Sequence, residues 1–406
     1  MKTFFLNALF LLLMLAPASL WADWPDRVFE ISVFNEARLS NNYFPVTAFF
    51  NNPLVVDLNN MAQALTAEGL VISASASNRI EINLAPSPQF KAGLFWGSEI
   101  YGFTTVPDAL IALLANGTGA SGSTNTGAWN PQNFKGDVFA DMGAWAGFHW
   151  GKWHLTVRPA YYIPLLHIDD INASYTVSTS PLTGTTATTQ ASIPIYSVIP
   201  LPNSSTAGTY SPLSSVSVGQ ILSSGGIDLS ADLQYELFPW LTLGGRVVNF
   251  PIQQARLDQG SILQATETVT TVDPSTNSGN PFKTTSTSSW TQTLGTISVI
   301  RPFEARAVVS LYPFSDPWLS FTPSLGVGVW NGVYLNGGLN MVIDGRHWAH
   351  LSFNSDYQYG LWSQTVGLGL NVRLFEVDLA VGGTSTDFVQ SFTDGVMAAV
   401  DVKLGF

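Results

Sequence analysis

The amino-acid sequence predicts an all-β fold: a single transmembrane antiparallel β-barrel of about fourteen strands with two short helices. Three observations predict it. From residue 134 onward, apolar and polar residues alternate over segments of roughly ten or more, the period-two signature of strands with two unlike faces. The links between these segments are alternately short and long, and aromatic residues gather beside the links at two levels.

The alternation is clearest at 226–238. Ile227, Leu229, Ala231, Leu233, Tyr235 and Leu237 share one face, and Asp228, Ser230, Asp232, Gln234 and Glu236 share the other. A helix would scatter both sets around its circumference. Residues 153–166 behave alike, with Pro159 and Pro164 weakening the ladder locally. The pattern returns at about 301–312, 318–330, 333–343, 348–361, 363–374, 375–384 and 395–406. Gly326, Gly328, Gly338, Gly367, Gly369 and Gly382 fall on the predicted inner faces, where small residues let a sheet curve or leave room inside.

Short turns are expected near 149–152, 238–240, 313–317, 344–347 and 374–376, with tight links at 330–332 and 361–363. Long links fall at 104–133, 167–225, 251–300 and 385–394. Bacterial barrels place short turns in the periplasm and long loops outside. Trp150, Trp153, Phe238, Trp240, Tyr312, Phe314, Trp318, Trp348, Phe375 and Phe406 sit beside the short turns or the last strand and form one interfacial girdle. Phe250, Trp330, Tyr357, Tyr359 and Trp362 are assigned to the opposite one. Internal alternation at 261–272 and 284–299 predicts a ribbon rising above the membrane.

Residues 28–34, 70–84 and 90–103 are further strands, joined by the proline-containing link 85–89. Asn52 as cap with Pro53 opens one helix, with Leu54, Leu58, Met61 and Leu65 on a stripe; Pro107 opens a second that closes at Gly117. Both are expected either to plug the barrel mouth or to lie on extracellular loops. At the amino terminus, Lys2 and the apolar run Phe4 to Ala16 read as a secretory signal over 1–22, cleaved after Ala22 or alternatively Ala18. Residues 23–406 then form the one barrel. The absence of cysteine excludes an acylated amino terminus, disulfides and thiolate metal sites. With 46% hydrophobic and 11% charged residues and no second long apolar run, the apolar residues are dispersed as strands require. A net charge of −12 argues against nucleic acid as a partner.

The polar residues predicted to face the lumen are Arg158, Asp228, Asp232, Glu236, Arg246, Glu304, Arg306, Arg373, Asp378, Asp401 and Lys403, with Asp137, Asp141 and Asp356 as further acids. They make either a polar channel with a mild cation preference or a ladder of salt bridges that stiffens the interior. Of the five histidines, His347 and His350 lie three residues apart across a bend, a spacing that makes no metal site, and His167 has only Asp169 and Asp170 beside it. His154 and His350 have no marked serine partner, and no G-x-S-x-G, phosphate-binding loop or H-E-x-x-H occurs. No catalytic residue, cofactor or metal is therefore expected.

With its signal sequence, short turns, aromatic belts and a last strand from Val396 to Phe406, the chain resembles bacterial outer-membrane β-barrel proteins. The resemblance implies that Val402, Leu404 and Phe406 are read by the barrel-assembly machinery and that outer-membrane lipids surround the wall. The strand number and short helical segments make it similar to FadL-like transporters, which implies passive uptake of small hydrophobic molecules. Asn52-Pro53 is similar to a plug motif of that family, although Leu54 and Val55 stand where an Ala-Asp pair is expected. A diffusion porin for polar solutes and a surface-exposed structural or adhesive barrel are the alternatives.

Overall fold

The computed structural model describes residues 27–45, 47–48, 56–65, 69–116, 124–129, 134–180, 184–199, 201, 217–271, 282–314, 318–330, 332–345, 348–372 and 374–406. The signal segment 1–22, the Asn52-Pro53 pair, Arg373 and His347 lie outside the described residues.

In chain order the first strands are β1 (Phe29–Asn41), β2 (Leu70–Ser87), β3 (Phe90–Val106), β4 (Thr124–Trp129), β5 (Phe134–Trp150), β6 (Trp153–Ile168), β7 (Asn172–Ser180), β8 (Gly184–Ser197), β9 (Gly226–Phe238) and β10 (Leu241–Gln253). There follow β11 (Ala255–Leu257), β12 (Gly260–Thr271), β13 (Phe282–Leu294), β14 (Ile297–Val299), β15 (Phe303–Leu311), β16 (Leu319–Val329), β17 (Val333–Asp344), β18 (Ala349–Gln358), β19 (Leu361–Val372), β20 (Phe375–Ser385) and β21 (Val396–Gly405). The helices are α1 (Leu58–Ala64), α2 (Asp108–Asn116) and α3 (Val218–Ser223).

Fourteen strands close into one antiparallel barrel, in the order β1, β2, β3, β5, β6, β9, β10, β15 to β21, and β21 pairs back onto β1. Closure leaves every wall strand with a hydrogen-bonded neighbour on each side, so the wall has no open edge, which hydrocarbon would not tolerate. The outward residues are apolar and bare: Val333 is 79% and Val381 64% exposed, while Asp228 on the inner face is 1% exposed. That inversion of the soluble-protein pattern is what a lipid-facing wall requires. At the short-turn end the aromatics pair side by side: Phe90 with Phe148 at 5.3 Å, Trp153 with Tyr235 at 4.5 Å, and Phe314 with Trp318 at 4.9 Å between ring centroids. Phe29 and Phe406 meet at 5.7 Å, and their backbones exchange hydrogen bonds of 3.1 and 3.0 Å where the last strand meets the first.

At the other end, the links expected to be irregular hold strands and helices. The Thr- and Ser-rich segments pair as a five-stranded sheet, β4-β7-β8-β12-β13, joined to the wall where β8 meets the end of β6. Cross-strand hydroxyls face one another, as at Thr186 with Thr270 (3.3 Å) and Thr188 with Thr268 (3.2 Å). The expected ribbon is thus wider than the pair of extended strands read from the sequence.

Helix α1 starts at Asp57, whose carboxylate accepts from the backbone N–H groups of Asn59 and Asn60, so its cap lies downstream of the one expected at Asn52. Met61 and Leu65 pack on Leu70 and on Ile111 of α2, and Leu110 of α2 packs on Tyr175 and Val177 of the outer sheet. The helices therefore sit at the long-loop end of β1 to β3. What enters the mouth is the short β11-β14 pair: Ala255, Leu257 and Val299 bury against Phe139 and Tyr162, which point inward from β5 and β6. The Tyr162 hydroxyl donates to the Val299 carbonyl (3.0 Å) and accepts from the Ala255 N–H (3.2 Å). The filling segment comes from the 251–300 link, which periodicity alone presented as a loop and ribbon.

Candidate functional site: the lumen and its mouth

Period two places the inward residues of β1, β2 and β3 on the same side as those of β5, β6 and β9, so charges from separate parts of the chain meet in the lumen. At the centre stands Arg301, in the link between β14 and β15 and only 2% exposed. Its guanidinium grips Glu99 through Nη2 (2.7 Å) and Nε (3.2 Å), and Nη1 reaches Asp228 at 3.1 Å. Nη2 also lies 3.3 Å from Asp141. A two-pronged hold of this kind suits the planar fork of arginine. Arg79 adds a second cation, 3.8 Å from Glu99 and 3.9 Å from Asp141. Three carboxylates thus face two guanidinium groups.

Phe95, 1% exposed, lies beneath this cluster, with Arg79 and Arg158 over its ring at 5.4 and 4.9 Å. Arg158 in turn donates to Glu81 at 2.7 Å. Asp141 fits because its neighbour across the ladder is Gly97: a Cβ there would stand 2.5 Å from Oδ1 of Asp141.

A second cluster lies on the opposite wall. Arg306 binds Asp356 (2.9 Å) and Glu304 (3.0 Å), and the Tyr334 hydroxyl and the Gln358 amide donate to the other Glu304 oxygen. Lower down, Lys403 meets Glu376 (2.5 Å), Asp401 (3.6 Å) and Asp378 (3.7 Å), and His350 lies 3.2 Å from Asp378. Asp232 and Arg246 oppose each other in register between β9 and β10, and both line a cavity of about 670 Å³ together with Arg79, Glu99 and Arg158. Glu236 stands apart, at the short-turn rim beside His154.

Aromatic side chains roof these clusters. Trp330, at the end of β16, donates from Nε1 to Asp137 of β5 at 2.9 Å and meets the Tyr101 ring of β3 at 5.6 Å. Five barrel strands separate β3 from β16 along the shorter way round the wall, so the contact runs across the mouth. Tyr359 completes the roof against Trp330 (5.1 Å), Tyr334 (4.7 Å) and Tyr101 (6.3 Å). Tyr359 and Gly360 both have positive φ, 55° and 77°, which gives the two-residue turn the primed geometry that hairpins favour. A tyrosine in this conformation is uncommon. Its three ring contacts hold it there.

Trp330 and Tyr359 were assigned by position to the outer girdle, and the structure turns both inward. The turn falls at 359–360 instead of 361–363, so Tyr359 takes a left-handed turn position where strand parity with Tyr357 no longer fixes its direction. Tyr357 and Trp362 do pair at the outer rim, at 4.9 Å. Below the roof, a cavity of about 280 Å³ is lined by Tyr101, Trp330 and Tyr359 above, and by Ser40, Ser73, Arg38 and Glu36 beside it. No residue of α1 or α2 lines either cavity.

Sequence reasoning missed Arg301, Glu99, Arg79 and Glu81. Arg79 and Glu81 share parity with Asn83 and Ser77 and were legible by alternation. Arg301 was not, because strand parity with Glu304 and Arg306 would send it outward. Pro302 interrupts the ladder, its carbonyl accepts from Asn249 at 3.0 Å, and the irregular stretch turns Arg301 in.

Closed wall, apolar belt, aromatic girdle and charged interior together define a transmembrane β-barrel with a roofed lumen. No protein-family model matches the chain, and no curated protein matches it. Among solved structures it is similar to the toluene transporter TbuX of Ralstonia pickettii, at 10% identity and TM-score 0.45, covering 97% of this chain and 92% of that one. It is similar as well to a Pseudomonas aeruginosa FadL homologue, at 8% identity and TM-score 0.45, covering 96% and 92%. A third similarity is to the translocator domain of the autotransporter NalP from Neisseria meningitidis, at 10% identity and TM-score 0.33, covering 100% and 98%.

Proposed function

We propose that this chain is an outer-membrane transporter that passes small molecules passively, with the Tyr101, Trp330, Tyr334 and Tyr359 layer as its gate. The observation that carries the proposal is that layer: ring faces from opposite walls meet over a charged lumen that holds a cavity of about 670 Å³. Ring faces offer a small hydrophobic molecule contacts that they do not offer a sugar. Uptake of small hydrophobic compounds is therefore the leading reading, and the chain acts by passage, without catalysis. A pore for polar solutes is the second reading, supported by the charged walls of the larger cavity. The last strand, through Val402, Leu404 and Phe406, is assigned to recognition by the assembly machinery.

Proteoliposomes holding the purified chain test the proposal. Barrel-dependent entry of a small aromatic hydrocarbon without entry of glucose supports the first reading. Glucose-driven swelling with steady conductance supports the second. Neither flux, in the wild-type protein or in Trp330→Ala, would remove transport as the function.

A further inference from the structure

The short-turn rim carries a cluster that the lumen reading does not use. The hairpin between β5 and β6 turns over Gly151 and Lys152, with Gly151 at φ +62°, so His149 and His154 fall directly opposite each other. Their rings stack at 4.0 Å with 22° between planes. On the neighbouring strand β9, the backbone N–H of Glu236 bonds to the Lys152 carbonyl at 2.9 Å, which fixes the Glu236 side chain beside the hairpin. Glu236 Oε1 lies 2.9 Å from His154 Nε2.

We propose that His149, His154 and Glu236 form a site for a borderline divalent transition metal ion, of the zinc or copper class, at the end of the barrel that faces the periplasm. One ligand atom from each of the three side chains lies within 4.8 Å of the others. Donors bound at about 2.0–2.2 Å to one ion stand about 3 Å apart, the separation already present between His154 and Glu236. His149 Nε2 lies 3.0 Å from the Gly151 carbonyl; in the tautomer that donates there, Nδ1 keeps its lone pair for the metal, and the carbonyl orients the ring. The cation on the turn is drawn aside, with Lys152 Nζ 3.4 Å from the Leu237 carbonyl. Two imidazoles and one carboxylate leave open positions for water and favour zinc, copper or nickel over calcium. An ion here would tie the β5-β6 hairpin to β9.

The test is calorimetric titration of the metal-free, full-length mature barrel in detergent with Zn²⁺, with Ca²⁺ as control, and an electron paramagnetic resonance spectrum of the protein with Cu²⁺. One Zn²⁺ per chain is expected, weakened by about tenfold or more in His149→Ala and in His154→Ala. Glu236→Gln, which keeps the side-chain shape, is expected to weaken it too, and Cu²⁺ is expected to show two nitrogen ligands. Heat-modifiable gel mobility verifies that each variant is still a barrel. Zinc binding unchanged in the doubly substituted His149→Ala, His154→Ala protein, absence of binding up to about millimolar Zn²⁺, or equal affinity for Ca²⁺ would overturn the proposal.

Discussion

The two ends of this barrel are built on opposite logics. At the short-turn end, turns are two or a few residues long, aromatic side chains pair along the outside, and the rim side chains are solvent-accessible. At the long-loop end the side chains turn inward and bind across the mouth: Trp330 to Asp137, Arg301 to Glu99 and Asp228, Tyr162 to the β11-β14 pair. One end is held by neighbours along the wall; the other is held by partners across it. On the proposed function, selection of what passes belongs to the long-loop end, and anchoring in the membrane to the short-turn end.

The largest effect that would break this contrast is expected at Arg301. Arg301→Met takes the guanidinium away from Asp228 and leaves Glu99 and Asp141 to Arg79, and removing one partner from a buried charge cluster costs about 3–5 kcal/mol. The temperature at which gel mobility changes should fall, and conductance in planar bilayers should rise. An equal stability loss from a short-turn substitution such as Trp318→Ala, with Arg301→Met unchanged, would reverse the assignment. Trp330→Ala should cost less stability but raise flux most directly, since it removes the ring that meets Tyr101 and Tyr359 and the bond to Asp137. Unaltered flux would place the gate elsewhere.

A smaller effect is expected within the wall itself. At Gly369 an added Cβ would lie on the His350 ring and the Asp378 carboxylate, the movable far ends of two paired side chains, so Gly369→Ala should cost about 1 kcal/mol with little change in flux. Removing Phe406 should slow assembly in cells and leave the finished lumen unaltered, measured as the fraction of heat-modifiable protein in the membrane.

Wall and lumen differ in how far they could be read from the sequence. Alternation marks Ile227 against Asp228 because a strand forces successive side chains to opposite faces, and that constraint acts locally. Tyr359 and Arg301 escape it. Their directions depend on a left-handed turn position at 359 and on an irregular stretch before β15, where parity no longer carries from one residue to the next. The partners of Asp141 and Asp228 were equally hidden, since nothing local to either residue announces a guanidinium from position 301. His149, His154 and Glu236 were also separate features until the hairpin and β9 brought them together.

The five-stranded sheet above the mouth carries Glu267 and Lys283 as its only charged residues, and threonine hydroxyls face one another across its strands. Charge–charge attraction weakens as ions accumulate in the medium, with a screening length of about 10 Å at 0.1 M salt. Hydroxyl ladders and β-branched packing have little to lose by that route. The sheet that caps the long-loop end is thus cemented in a way that a change from fresh to saline surroundings would leave almost untouched.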